Sequence, residues 1–258
     1  MKQMMVVQKS SAEALAAEIE GRLRQLGVTI VHNPAQCDAI IAVGGDGTIL
    51  NAAHMVLPHG KPVLGVNAGR LGFLAGLEQD ELDLLPRLAA GEFELDYRML
   101  LQVQVEQHGR VIRDSVCLND AVLARRFPRI AEINVTCNDD QTLSYLGDGV
   151  IFATPTGSTA YNFSAGGPVV QPGIESILLT PICNHKAPAR TIVFAADSRF
   201  CVEIPDEELA LGIDAQAPIP LQRGSRVIIC RHSSRAAFIR LKPASFLEIF
   251  NEKMGGSL

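Results

Sequence analysis

The hydrophobic period of the chain changes once, near Tyr97, and that change constrains the fold more than any other feature. Before it, strand and helix signals alternate. Met4–Gln8 is a short apolar strand candidate. Ser10 with Glu13 reads as a capping box ahead of Leu15, Ile19, Leu23 and Leu26 at helical spacing, with Gly27 as the stop. Val28–Val31 and Asp38–Val43 read as strands, the second buried. Thr48–Val56 is a short helix, apolar around most of its circumference. Lys61–Val66 is a strand, and Asp80–Leu88 a helix with Asp80 as its cap. This rhythm predicts a parallel sheet flanked by helices. After Tyr97, Leu101, Val103 and Val105 alternate with polar residues up to a turn at His108-Gly109. Ile133, Val135 and Cys137 alternate before the turn Asn138–Asp140, and Leu143 and Tyr145 follow it. Val150–Ala153, Arg190–Ala195, Phe200–Ile204, Arg226–Cys230 and Ala237–Leu241 are further strands of an antiparallel β region. Ser245–Met254 closes the chain as a helix with Phe246, Ile249, Phe250 and Lys253 on one side. The expected fold is therefore an α/β amino-terminal domain followed by a mostly antiparallel β carboxy-terminal domain.

Composition narrows the function classes. The 258 residues can bury an ample core, and no apolar run approaches the roughly 18 residues of a membrane span. Met1–Ser10 does not resemble a signal peptide. A net charge of −5, from 23 basic and 28 acidic residues, argues against a nucleic-acid partner. An anionic ligand must then be held by backbone amides, helix ends or a metal ion. The six cysteines are scattered, with no C-x-x-C pair, which predicts reduced thiols in a cytoplasmic protein. No His, Cys or carboxylate cluster has the spacing of a metal cage.

Three segments carry chemistry. Gly44, Gly45, Asp46, Gly47 and Thr48 follow a buried strand and open a helix. Glycines let the backbone approach a ligand closely, and a helix start offers amides to phosphate. The run lacks the Gly-Lys-Ser/Thr of a P-loop, and Leu50 stands where a dinucleotide fingerprint has its third glycine. It also reads as a plain turn with Asp46 capping the helix. The second segment, Gly147 to Tyr161, runs from a strand into a hydroxyl-rich loop. Thr154, Thr156, Ser158, Thr159, Tyr161 and Ser164 place hydroxyls that suit sugar and base edges. The third is the Asn119-Asp120 pair between apolar neighbours, equally readable as a bulge.

Together these segments resemble the NAD kinases of bacterial type over nearly the whole chain. Asn67–Leu74, Leu179–Cys183 with Arg190, and Asp214-Ala215-Gln216 complete the resemblance. The Gly44–Thr48 motif is shared with lipid kinases and phosphofructokinases, whereas the run from Asp148 to Val170 is far more specific and looks like that of the NAD kinases. The resemblance implies domains at 1–97 plus 242–258, on the phosphate-donor side, and at 98–241, binding the dinucleotide. It implies ATP or polyphosphate as donor, Mg²⁺ or Mn²⁺, and NAD as acceptor at the adenosine 2′-hydroxyl. A homotetramer or homodimer is also implied. Carried over by position, Asp46 is the base. Gly44, Gly45, Gly47 and Thr48 form the phosphate-donor loop. Asp46, Gly47, Phe73, Asn119, Asp120, Asp148, Thr156, Thr159, Ala160, Tyr161, Asn162, Ser164 and Gln216 match dinucleotide-contacting positions, and Arg129 falls near a basic one. Leu146 stands where many relatives carry Arg or Lys, Asn184 replaces a usual proline, and Lys253–Gly256 lacks a common Trp.

Phosphoryl transfer needs alignment, charge neutralisation and a destination for the hydroxyl proton. The loop, a donor-borne cation and Asp46 would supply these, from a site expected between the two halves. Two rivals remain open: a lipid kinase of the same superfamily, against which the lack of a polybasic amphipathic helix counts, and a non-catalytic NAD(P)-binding regulator, against which the carboxylate of Asp46 counts.

Overall fold

The computed structural model of the chain describes residues 1–69, 72–185, 190–205, 209–243 and 245–255. The chain divides into two compact units, one of Met1–Tyr97 with Ala236–Leu258, the other of Arg98–Arg235.

The first unit contains β1 (Gln3–Gln8), α1 (Glu13–Gln25), β2 (Thr29–Ile30), β3 (Ala39–Gly44), α2 (Asp46–Val56), β4 (Val63–Asn67) and α3 (Leu85–Ala90). Its strands run parallel in the order β2-β1-β3-β4. Every residue of β3 and β4 is buried, as expected of strands covered on both faces. Ile19, Leu23, Ile41, Val43, Leu64, Leu85 and Leu88 share one core. Two helix starts differ from the sequence reading. Ser10–Ala12 form a single 3₁₀ turn in which no side chain caps the helix, so the Ser10/Glu13 capping box is not made. The segment after Asp80 begins as a 3₁₀ turn at Leu82–Leu84 and becomes helical only at Leu85, again without a side-chain cap. Pro86 near that start has the φ of a first helical turn and needs no N–H there.

The second unit is mostly antiparallel. The long strand β5 (Glu94–Gln107) leads into it and pairs with β6 (Arg110–Cys117). It goes on with β7 (Asp120–Arg125), β8 (Ala131–Cys137), β9 (Gln141–Gly147), β10 (Gly149–Ala153), α4 (Tyr161–Ser164), β11 (Ser176–Ile182), β12 (Ile192–Ala195), β13 (Phe200–Glu203), β14 (Leu209–Ile213) and β15 (Ile219–Pro220). One sheet has the order β12-β11-β10-β7-β14-β15. The hairpin turns fall where His108 (φ 51°), Asn138 (φ 52°) and Asp139 (φ 58°) take left-handed backbone.

The segments read as two strands, Arg226–Cys230 and Ala237–Leu241, are one fifteen-residue strand, β16 (Arg226–Arg240). The polar stretch His232-Ser-Ser-Arg235 between them is extended as well. From Ala236 this strand belongs to the first unit, where Phe238 pairs in parallel with Val63 of β4. The last helix, α5 (Phe246–Gly255), also belongs to the first unit, and the Ser245 hydroxyl accepts the Glu248 N–H at 3.4 Å near its start.

A turn after β14 stores strain. Asp214 (φ 47°) and Ala215 (φ 57°) are consecutive left-handed residues, and Ala gains nothing there from its Cβ. Ala215→Gly is expected to raise stability by about 1 kcal/mol, read as a higher urea midpoint at unchanged slope. An unchanged midpoint would show that the turn relaxes at no cost.

Candidate active site

In the first unit the chemistry is organised around Asp46. Gly45 is the N-cap of α2 and Asp46 the first helical residue, and no side chain caps this helix. The plain-turn reading of Asp46 as a helix cap is therefore replaced by a different arrangement. Asp46 Oδ2 accepts the Phe73 N–H at 3.0 Å, and Oδ1 accepts the Leu74 N–H at 3.0 Å. Gly72 makes this possible: a Cβ there would occupy the space of the carboxylate. Arg70 and Leu71 of the same segment lie outside the described residues. The Lys253 ammonium of α5 is a third partner, 3.2 Å from Oδ2. Beside the loop, Asn67 at the end of β4 is buried and donates to Glu78 at 2.7 Å. In the first turn of α2 the Thr48 N–H already donates to the Gly45 carbonyl at 2.9 Å, so the amides suited to an anion are those of Asp46 and Gly47 ahead of it. Thr48 and the exposed Gly47 belong to this turn.

In the second unit the Asn119-Asp120 pair is held from two sides. The buried carboxylate of Asp214 accepts three successive backbone N–H groups, from Leu118 and Asn119 at 2.7 Å each and from Asp120 at 3.1 Å. On the other side, the Thr154 N–H donates to the Asn119 carbonyl at 2.9 Å, and the Thr154 hydroxyl donates to the Leu118 carbonyl. Gly157 packs so tightly against the Asn119 backbone that a Cβ would overlap it. Asp120, at the start of β7, is 5% exposed. Burial first, and the neighbouring Asp214 second, raise its pKa to about 7, while a hydrogen bond from the Tyr161 backbone pulls the other way.

The hydroxyl-rich loop does something other than its composition suggested. Thr156 Oγ1 accepts from the buried Arg98 at 3.3 Å. Ser158 Oγ donates to the Pro155 carbonyl at 2.6 Å and accepts from the Val170 N–H at 3.0 Å. Thr159 Oγ1 reaches the Thr156 carbonyl at 3.4 Å. The amide of the buried Asn162 donates to Ser158 and Pro168 carbonyls and accepts from Thr180. These side chains stiffen the loop from inside. Tyr161 (45% exposed) and Ser164 face solvent, as does Gln216, while Ala160 is half-buried.

Asp148, between β9 and β10, pairs with Arg125 Nε at 3.0 Å. Arg129 lies on the β7–β8 connection, where its N–H donates to the Phe127 carbonyl at 2.7 Å. Two of the three departures from the family pattern are neighbours: the Leu146 N–H donates to Asn184 Oδ1 at 2.8 Å. Gly256 lies outside the described residues. Three contributors escaped the sequence reading: Asp214 as an anchor, Asn67 with Glu78, and Lys253 at Asp46. Asp214 and Asn67 each stand in a segment that carries the resemblance, Asp214-Ala215-Gln216 and Asn67–Leu74, but neither segment shows what its side chain holds. Among the described residues, no group of three or more His, Cys, Asp or Glu side chains could hold a metal ion, and no helix is long and apolar enough to cross a membrane.

Comparison with known proteins decides the family. Residues 2–93 match the ATP-NAD kinase N-terminal domain, and residues 118–241 match the ATP-NAD kinase C-terminal domain. The chain belongs to the NAD kinase family. It is a kinase, and its relatives cover nearly its full length. The NAD kinase of Desulforamulus reducens is 39% identical over 95% of this chain and 85% of its own. That of Symbiobacterium thermophilum is 39% identical over 92% and 86%. Among solved structures, an NAD kinase from Archaeoglobus fulgidus in complex with ATP superposes with a TM-score of 0.78 at 26% identity, covering 97% of this chain and 98% of that one. Yeast NADH kinase complexed with NADH gives a TM-score of 0.88 at 22% identity, covering 100% and 88%, and at that identity speaks for the fold alone. The α/β first domain and antiparallel second domain are thus those of an NAD kinase.

Proposed function

We propose that this enzyme transfers the γ-phosphoryl group of ATP to the adenosine 2′-hydroxyl of NAD, giving NADP, with Asp46 as the general base. The observation that carries this reading is the placement of the Asp46 carboxylate. Two backbone N–H groups aim it, at the first residue of a helix whose amides suit phosphate, and a third of its side chain remains open to solvent. A carboxylate beside a phosphate site repels its ligand, so its retention there is explained by proton acceptance. A positioned base contributes roughly 10²–10⁴ in rate.

The donor loop Gly44, Gly45, Gly47 and Thr48 would receive the polyphosphate, with Mg²⁺ or Mn²⁺ arriving on it as the metal–ATP substrate. Asn119 and Asp120, fixed by Asp214 and Thr154, would hold the NAD ribose. Phe73, Thr156, Thr159, Ala160, Tyr161, Asn162, Ser164, Asp148 and Gln216 would complete or frame the dinucleotide site. A rigidly held acceptor presents one hydroxyl and not its neighbour, which is the positional selectivity the reaction requires. Self-association as a homotetramer or homodimer and a cytoplasmic location belong to the same reading, as does polyphosphate as a possible second donor.

Incubation with ATP, Mg²⁺ and NAD, with enzymatic detection of NADP⁺, tests the reaction. Activity is expected to vanish with EDTA and to return with Mg²⁺ or Mn²⁺. Binding of NAD without NADP⁺ formation would make the protein a regulator. A stoichiometric metal surviving dialysis would overturn delivery of the ion on the donor.

A further inference from the structure

The Gly44–Thr48 loop contains no Lys or Arg, and neither do the next two residues, Ile49 and Leu50. A P-loop carries its own lysine to the β- and γ-phosphates; this loop does not. The fold brings one from elsewhere. The Lys253 ammonium lies 3.2 Å from Asp46 Oδ2 and 4.1 Å from the centroid of the Phe73 ring. The helix that carries it is seated by an aromatic contact: the Phe246 ring lies 6.5 Å from that of Phe73, centre to centre. Lys253 and Asp46 each keep about a third of the side chain in solvent, 32% and 33%. A pair this open contributes little stability, so folding alone does not account for it. It does leave the ammonium within reach of a ligand at the loop.

We propose that Lys253 is the donor-phosphate lysine of this site, pairing with Asp46 until the polyphosphate of ATP takes over its ammonium. A carboxylate offers about four lone-pair positions. In Asp46, Phe73, Leu74 and Lys253 take three of them. A polyphosphate bearing several negative oxygens competes for the lysine and leaves a further position on Oδ2 for the 2′-hydroxyl. The lysine stays protonated throughout, and the hydroxyl proton goes to Asp46 as the new O–P bond forms and the β–γ bridge breaks. Arrival of the donor thus both neutralises the transferring group and exposes the base. This inference rests on the reading of Asp46 as the base.

Lys253→Met keeps an unbranched aliphatic side chain of similar length and removes the ammonium. It is expected to weaken binding of Mg²⁺–ATP, followed by calorimetry without NAD, by about 10- to 100-fold, and to lower kcat/KM for ATP at least as much. KM for NAD should stay within about 3-fold, and Lys253→Arg should recover most of the ATP affinity. ATP affinity and turnover within about 3-fold of the parent enzyme would overturn the proposal. So would an equal loss toward NAD and ATP, or failure of Arg to restore what Met removes, since either marks α5 as merely structural. Asp46→Asn separates the two readings. If it stays active, the base assignment falls; if it is inactive while Lys253→Met is normal, only the role of Lys253 falls.

Discussion

Asp46→Asn is expected to lower kcat by roughly 10²- to 10⁴-fold, far beyond its effect on stability. The size matches, but the chemistry does not. Asn cannot take up the proton of the 2′-hydroxyl. The structure also shows that the substitution is not silent in the fold, because Asp46 accepts the N–H groups of both Phe73 and Leu74 and pairs with Lys253. Asn has one acceptor oxygen, so its NH₂ would face one of those amides. With a third of the side chain exposed, that mismatch costs about 1–2 kcal/mol, a shift of several degrees in Tm. NAD affinity should change only a few-fold. Steady-state assays with calorimetric melting alongside decide the matter. A variant retaining more than about a tenth of the parent kcat would leave Asp46 as a residue that shapes the 72–74 segment and nothing more.

Asp120→Asn should stabilise the protein at alkaline pH while weakening NAD. Burial and Asp214 raise the folded-state pKa of Asp120 to about 7, against about 3.9 in an unfolded chain. Between those values the native state holds a proton that the unfolded state has released. The group's favourable contribution is therefore present below about pH 4 and is lost as pH rises through 7. Above pH 7 the buried charge costs about 2–4 kcal/mol, which Asn avoids. The expected result is a Tm advantage for the variant at pH 8 that shrinks toward pH 4.5. At pH 8, KM for NAD should rise at least about 5-fold with KM for ATP unchanged, because a charged acceptor for the ribose is lost. A Tm difference independent of pH would refute the buried-carboxylate account. Loss of ATP affinity in place of NAD would refute the role given to this segment. A carboxylate kept where it lowers stability is the pattern of a residue retained for function.

Much of this protein is legible in its sequence, and the reason is locality. A helix stripe at i, i+3, i+4 and strand alternation are written in near neighbours, so α1 and α2, strands β1, β3, β4 and β8, and the turns at His108 and Asn138 follow from the text of the chain. The change of period at Tyr97 separates the parallel α/β elements from the antiparallel strands for the same reason. Helix ends are less legible: Ser10 and Glu13 have the letters of a capping box, yet the chain takes a 3₁₀ turn there. The length of β16 is not legible because the polar stretch His232–Arg235 interrupts the apolar alternation, yet the strand runs through it.

The sequence by itself determined the two architectures, the glycine-rich helix start and the hydroxyl-rich loop, since each is a property of a continuous segment. Only the tertiary structure decided which groups serve one another. Asp46 takes its amide partners from 27 and 28 residues away and its lysine from 207 away. Asp214 reaches back 94 to 96 residues to hold the backbone of Leu118, Asn119 and Asp120. The loop hydroxyls that looked free for a ligand are in good part spent on the loop itself. Hydrogen bonds between segments so distant leave no period and no spacing in the chain. They depend on the packing of a core that has first to form, and so the chemistry of Asp46, Lys253 and Asp120 becomes readable only once the strands are paired.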